Sequence, residues 1–366
     1  MGCARWLLRR MARPAGAVLA LVLLLGPPAV LAAGGGRSAG EAEEAPPAAK
    51  PAGAEVPEGE RGPADAPETK TVCLLFSRDL PSYREAVEGL THRLCPPSDG
   101  PGHAAAYTFT ERVVTETEVD TVMAWLRSEQ PDLIVTLGTE ASKVAAIHVR
   151  ETPVLFAMVA NPIDNGILPR RGHPGQLVCG VTTDVAPAEQ FKVLKQALPR
   201  AKCVGVIYCP QYTEATVAAA GDAARKAGLD LVRLPVEPYR VAPAIERLHT
   251  RDVDALWTVT DPGVMVPASA RKILTSALKA RLPVLGFSPA MVRAGAIVGF
   301  GVQPRAIGRQ AGDIAHALLR EGKTPADVHL VHPRQVAVHV NLDVAERIGV
   351  RLPDTLLDHA ERIKGQ

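Results

Sequence analysis

The sequence predicts an α/β protein of two lobes, each a parallel sheet flanked by helices. Three observations carry this prediction. Apolar runs of strand length alternate with helical stretches along the chain, the pattern of repeated βα units. The runs, such as Leu133–Leu137 (LIVTL) and Cys203–Tyr208 (CVGVIY), are almost continuously apolar, as strands covered on both faces are. The alternation falls into two series of about one domain each, in a chain of 366 residues.

The N-terminus reads as an export signal. Arg5, Arg9, Arg10 and Arg13 form a basic segment, Ala17–Leu25 (AVLALVLLL) is apolar, and Val30-Leu31-Ala32 is a small-residue cleavage site. The unbroken apolar run falls short of the roughly 20 residues that span a bilayer. An uncleaved signal would instead tether the protein to the membrane. The expected boundaries are a signal over 1–32 and a flexible linker over 33–69, rich in Ala, Pro, Gly and Glu. Cys3 precedes the apolar run and cannot be a lipid-attachment site. The other cysteines, Cys73, Cys95, Cys179, Cys203 and Cys209, are odd in number and show no C-x-x-C spacing, so no disulfide framework is expected.

The first series begins with a strand over Thr71–Phe76 and a helix over Ser82–Leu94. It continues with a strand over Ala106–Val113, a helix over Glu116–Ser128, and the strand Leu133–Leu137, whose following helix starts at Gly138-Thr139. Strands over Pro153–Val159 and Leu177–Thr183 end it. The second series alternates helices at Ala186–Ala197, Thr213–Ala227, Ala242–Leu248 and Pro267–Ala280 with strands at Cys203–Tyr208, Leu229–Val236, Ala255–Val259, Leu282–Phe287 and Ala296–Gly301. A helix over Ala306–Arg320, strands over Val328–Val331 and Gln335–Val340, and helices near Leu342–Ile348 and Asp354–Ile363 close the chain.

Ligands of open α/β sheets bind at the carboxyl ends of the strands. Here those ends carry Ser77, Arg78, Gly138, Thr139, Asn161, Pro162, Tyr208, Asp261, Phe300 and Gly301, the candidate ligand-binding residues. Each also has a plainer reading. Thr139 is a good helix cap, and the helix start it caps would equally suit an anionic ligand end. Asp261 precedes Pro262-Gly263, good turn chemistry, or it faces a ligand cation. Arg78 is a solvated loop residue or a carboxylate partner. Tyr208 and Phe300 pack or stack, Asn161 caps a turn, and Trp257 is expected in the core.

Several stretches in order resemble one family: PDLIVTLGT, PVLFAMVANPIDNGI, LVCGVTTD with EQFKVLKQALPRAKCVGVIY, VDALWTVTD, LPVLGFSPAMVRAGAIVGFG and NLDVAERIGVRLPDTLLDHA. Together they are similar to substrate-binding proteins of ABC importers in the tryptophan/tyrosine-binding-like group. The resemblance covers roughly Thr71–Ile363. It implies the type I periplasmic-binding-protein architecture: two Rossmann-like lobes joined by a three-crossing hinge. The lobes would be 70–182 with 301–324, and 183–300 with 325–366; the crossings would lie in Gln176–Asp184, Val298–Gln303 and Pro325–Val340. It implies a monomer that closes on a small, amino-acid-like or aromatic molecule and hands it to a membrane permease. A sensory module presenting the ligand to a membrane receptor or histidine kinase is the alternative. Where the family often has Asp-Pro, Tyr-Asn-Pro and Ser-Tyr-Gly, this chain has Asn161-Pro162, Tyr208-Cys209-Pro210 and Gly299-Phe300-Gly301. The changes remove a carboxylate, an amide and a phenol, and leave Asp261 to meet any ligand ammonium.

Other classes lack their signals. A net charge of +2 gives no basic stripe for nucleic acid. No dinucleotide fingerprint, phosphate loop or nucleophile elbow is present, so neither an enzymatic role nor a cofactor is expected. His329, His332 and His339 lie close in sequence, but no Cys, Asp or Glu converges on them, so no metal is expected.

Overall fold

The computed structural model describes residues 68–96, 107–114, 118–250 and 253–364. The expected signal, 1–32, and the linker apart from residues 68 and 69 lie outside the described residues.

The first series is β1 (Lys70–Phe76), α1 (Pro81–Leu94), β2 (Tyr107–Val113), α2 (Val119–Glu129), β3 (Leu133–Leu137), α3 (Thr139–His148), β4 (Val154–Val159) and β5 (Val178–Thr182). The second is α4 (Pro187–Ala197), β6 (Cys203–Tyr208), α5 (Pro210–Lys226), β7 (Asp230–Pro235), α6 (Ala242–Thr250), β8 (Ala255–Trp257), α7 (Pro267–Lys279), β9 (Val284–Gly286), α8 (Pro289–Ala294) and β10 (Val298–Val302). Then follow α9 (Pro304–Arg320), α10 (Pro325–Val328), β11 (Leu330–Val331), β12 (Val336–Val340), α11 (Leu342–Ile348), α12 (Asp354–Leu357) and β13 (Ala360–Arg362).

Two sheets result, with helices on both faces of each. The first has the order β11-β5-β4-β3-β1-β2, with every pairing parallel. The second has the order β13-β12-β10-β9-β8-β6-β7, parallel except for β10 against β12. Strand periodicity explains the double burial. Val72, Leu74 and Phe76 of β1 pack with α1 and α9, while Cys73 and Leu75 face α2 and α3. In β6, Val204, Val206 and Tyr208 pack toward α4 and α5, and Ile207 faces α6 and α7.

The chain passes between sheets three times: from β5 to α4, from β10 to α9, and from β11 to β12. Two lobe boundaries move from their expected places. β10 stays in the second sheet through Val302, and β11 pairs with β5, so the stretch from α10 to β11 belongs with the first sheet rather than the second. The expected C-terminal helix over Asp354–Ile363 is also corrected. Only Asp354–Leu357 is helical, because Ala360–Arg362 finds a ladder beside β12, and sheet pairing overrides helical propensity. Helix α8 forms where the sequence reading places no element: Ser288 caps it, Pro289 opens it and Gly295 ends it.

Helix α9 returns from the second sheet to lie tightly against α1. A Cβ at Gly308 would run into the Ala86 carbonyl, and one at Gly89 into that of Arg305, so backbones touch where side chains would normally separate them. Gly308→Val is therefore expected to destabilise the fold by about 1–3 kcal/mol or more through overpacking. Chemical denaturation checks this; an unchanged midpoint would show that the crossing is looser.

Candidate functional site

A cavity of about 410 Å³ lies between the two sheets, at the carboxyl ends of β4, β5, β8, β9 and β10. That volume is in the range of roughly 300–1,000 Å³ usual for small-molecule sites. Its walls are mainly apolar. Phe287 lines the cavity from the second lobe with the edges of Trp257 and Phe300, which are 1% and 3% exposed, and with Pro162 opposite and Leu330 at the third crossing. Trp257 is held rigidly: its indole N–H donates to Gln190 Oε1 at 2.8 Å, and Phe191 meets it edge-on at 5.1 Å between centroids.

The polar end is built around Asp184, just past β5 on the first crossing. Its Oδ2 accepts from the Asn161 backbone N–H at 2.6 Å and the Thr182 hydroxyl at 2.8 Å. Its Oδ1 has the Thr260 hydroxyl at 3.3 Å. Burial pushes the Asp184 carboxyl above the usual carboxylate range, opposed by these donors and by the nearby His332. The His332 Nδ1 lies 2.8 Å from the Asp184 carbonyl oxygen. A carbonyl only accepts, so Nδ1 carries a proton and donates it to this bond.

Asn161 shows how local backbone places these groups. The β4–β5 register shifts between Ala157 and Val159, and Met158 and Asn161 take positive φ, 59° and 48°. Asn tolerates the left-handed region better than most residues, and a bulge re-aims a strand tip. The re-aimed Asn161 amide crosses to the second lobe, donating to the Thr260 carbonyl at 2.6 Å. Asp164 makes a second crossing. Its carboxylate accepts from the backbone N–H groups of Ala215 at 2.7 Å and Thr216 at 3.0 Å, and from the Thr216 hydroxyl at 2.7 Å. These donors exist because Thr213 is non-helical (φ −142°, ψ 21°), so α5 effectively restarts there with unsatisfied N–H groups.

The chain matches the ABC transporter substrate binding protein family over residues 80–364. It belongs to that family. A tyrosine-binding protein of Clostridioides difficile (strain R20291) is 23% identical over 227 residues, 61% of this chain. The match spans 65% of that relative, just under two thirds of its length. Among solved structures, an ABC domain in complex with L-Trp from Streptococcus pneumonia is 22% identical with a TM-score of 0.53, covering 80% of this chain and 99% of the other. The ligand-free, open structure of a substrate binding protein with adhesive properties from Clostridium difficile is 20% identical with a TM-score of 0.63, covering 81% and 100%. At these identities the structures bear on fold alone, and the fold they share is that of type I periplasmic binding proteins. Among the described residues, no helix is long and apolar enough to cross a membrane.

Of the strand-tip residues expected to bind ligand in this substrate-binding protein, Asn161, Pro162, Phe300 and Gly301 line the cavity. The others lie elsewhere. Ser77 accepts from the Ala141 N–H at 2.9 Å and so caps the start of α3, leaving Gly138 and Thr139 packed as a helix start beside Tyr83. Arg78 is exposed beyond β1. The Tyr208 hydroxyl donates to Glu214 at 3.1 Å and accepts from Arg233 at 2.6 Å. Asp261 is 1% exposed and its carboxylate is taken up by its own lobe, accepting from Cys209 N–H, the Thr213 hydroxyl, Gly263 N–H and Val264 N–H at 2.5–3.1 Å. It is a turn anchor, and the carboxylate at the cavity is Asp184. The strand-tip rule, applied to LVCGVTTD as to the other strands, would have found Asp184; the crossing partners Asp164 and Thr216 carry no comparable signal.

Proposed function

We propose that this protein is an extracytoplasmic solute-binding protein that captures a small molecule between its lobes and delivers it to an ABC importer, without bond-making chemistry. The observation that supports this best is the largely apolar cavity at the strand tips, bounded by both lobes and by two of the three crossings. Binding there couples to closure, because a ligand touching both walls has greater affinity for the closed arrangement, and that difference drives the equilibrium. The aromatic walls suit a ring-bearing or amino-acid-like ligand, in keeping with the tyrosine and tryptophan named for the relatives.

Ala219 gives a clean test. It lies on the exposed side of α5 and lines the cavity, so a large side chain there enters the cavity without disturbing the core. In a calorimetric screen of amino acids, amines, nucleosides and aromatic carboxylates, at least one solute is expected to bind the wild type with micromolar or better affinity. Ala219→Trp is expected to weaken that binding at least tenfold with an unchanged melting temperature. Equal affinity in both proteins would place the ligand elsewhere.

A further inference from the structure

We propose that the ligand enters as a monocation, a protonated amine on an aromatic or branched apolar body without a carboxylate, with its ammonium group at Asp184. This deepens the solute-binding reading above and rests on it. The argument is a count of charges and donors around the cavity. Among the described residues, Asp184 is the one carboxylate in its lining, and no lysine or arginine lines it. Nor, among the described residues, does Asp184 form an ion pair with a lysine or arginine. Its hydrogen bonds come from a backbone N–H and two hydroxyls, which carry no full charge. A carboxylate walled off in this way is costly until a cation reaches it.

Most donors that could receive a ligand carboxylate are already engaged; the Thr183 and Ser288 hydroxyls stay available, and neither carries a charge. The N–H groups at the restart of α5, the natural anion site, hold Asp164. The start of α3 is capped by Ser77 and lies outside the cavity. The Asn161 amide donates to the Thr260 carbonyl, the Gln190 amide to the Val185 carbonyl, and the Thr258 hydroxyl to the Leu285 carbonyl. The His332 Nδ1–H donates to the Asp184 carbonyl, so that donor is engaged as well. The polar end thus offers acceptors to a cation, and the rest of the wall offers Trp257, Phe287 and Phe300 to an apolar body. A zwitterionic amino acid would bring a carboxylate that no lysine or arginine among the described residues of the lining meets.

The test is a calorimetric titration with matched trios: tryptamine, tryptophan and indole-3-propionate; tyramine, tyrosine and 4-hydroxyphenylpropionate; isoamylamine, leucine and isocaproate. The expected result is that one amine binds at least tenfold tighter than its amino acid and its acid. Asp184→Asn is expected to weaken that amine at least tenfold while circular dichroism and melting show an intact fold. Should Asp184→Asn fail to fold, Asp184→Glu replaces it, keeping the charge and moving it by one methylene, and a drop in amine affinity is again expected. An amino acid or acid that binds as well as its amine, or an amine that ignores both substitutions, overturns the proposal and leaves the solute-binding reading intact. If no amine binds but a solute outside the trios does, the proposal falls and solute binding stands. If a well-folded protein binds nothing in the trios or the wider screen, both fall.

Discussion

Asp261→Ala is expected to lower the stability of the protein by about 4 kcal/mol or more without changing ligand affinity in the protein that remains folded. The carboxylate is buried and accepts from four donors, three of them backbone N–H groups that cannot turn elsewhere. Each donor left unsatisfied costs about 1–3 kcal/mol. The network also holds two segments together: the first turn of α5 through Cys209 and Thr213, and the turn after β8 through Gly263 and Val264. Asp261→Asn retains one carbonyl oxygen and is expected to recover part of the loss. Chemical denaturation measures the first quantity, and calorimetry well below the melting temperature measures the second. Normal stability with lost binding would return Asp261 to the role of a ligand contact.

Asp164→Ala is expected to open the cleft. Asp164 and Asn161 are the first-lobe residues whose side chains reach the second lobe beside the cavity, and Asp164 does so onto the positive end of a helix. Hydrogen bonds to a charged group contribute about 1.5–3 kcal/mol, so losing this cap should shift the closed-to-open ratio by roughly 10- to 150-fold. If the closed form is the one that binds, apparent affinity falls in proportion to its lost population. The expected observations are a larger radius of gyration by small-angle scattering and a weaker ligand, with little change in either lobe's melting. Thr216→Val removes the hydroxyl bond but leaves both N–H donors, so a smaller shift in the same direction is expected. Identical scattering and affinity in Asp164→Ala would mean that the bridge contributes nothing to closure.

The fold was largely legible because buried parallel strands are written as apolar runs. LIVTL and CVGVIY needed no context to be recognised, and their pairing follows from the βα alternation. The chain end was less legible because its structure is decided by a partner: Ala360–Arg362 is a strand only beside β12. The candidate site was half legible for a related reason. A strand tip is local, so Asn161, Pro162, Phe300 and Gly301 could be named. Whether a tip faces the cavity or is capped by its own lobe depends on side chains distant in sequence. Ser77 caps α3, 64 residues on, and Asp261 holds Thr213, 48 residues back. The same distance hid the crossing from Asp164 to α5.

The most direct test of solute capture between the lobes is a thermal-shift screen run in parallel on the wild type and Ala219→Trp. The prediction is that at least one small solute raises the wild-type melting temperature by several degrees and leaves the variant's unchanged, while the two proteins melt together without solute. No stabilising solute for the wild type, or equal stabilisation of both proteins, would contradict capture in the interlobe cavity.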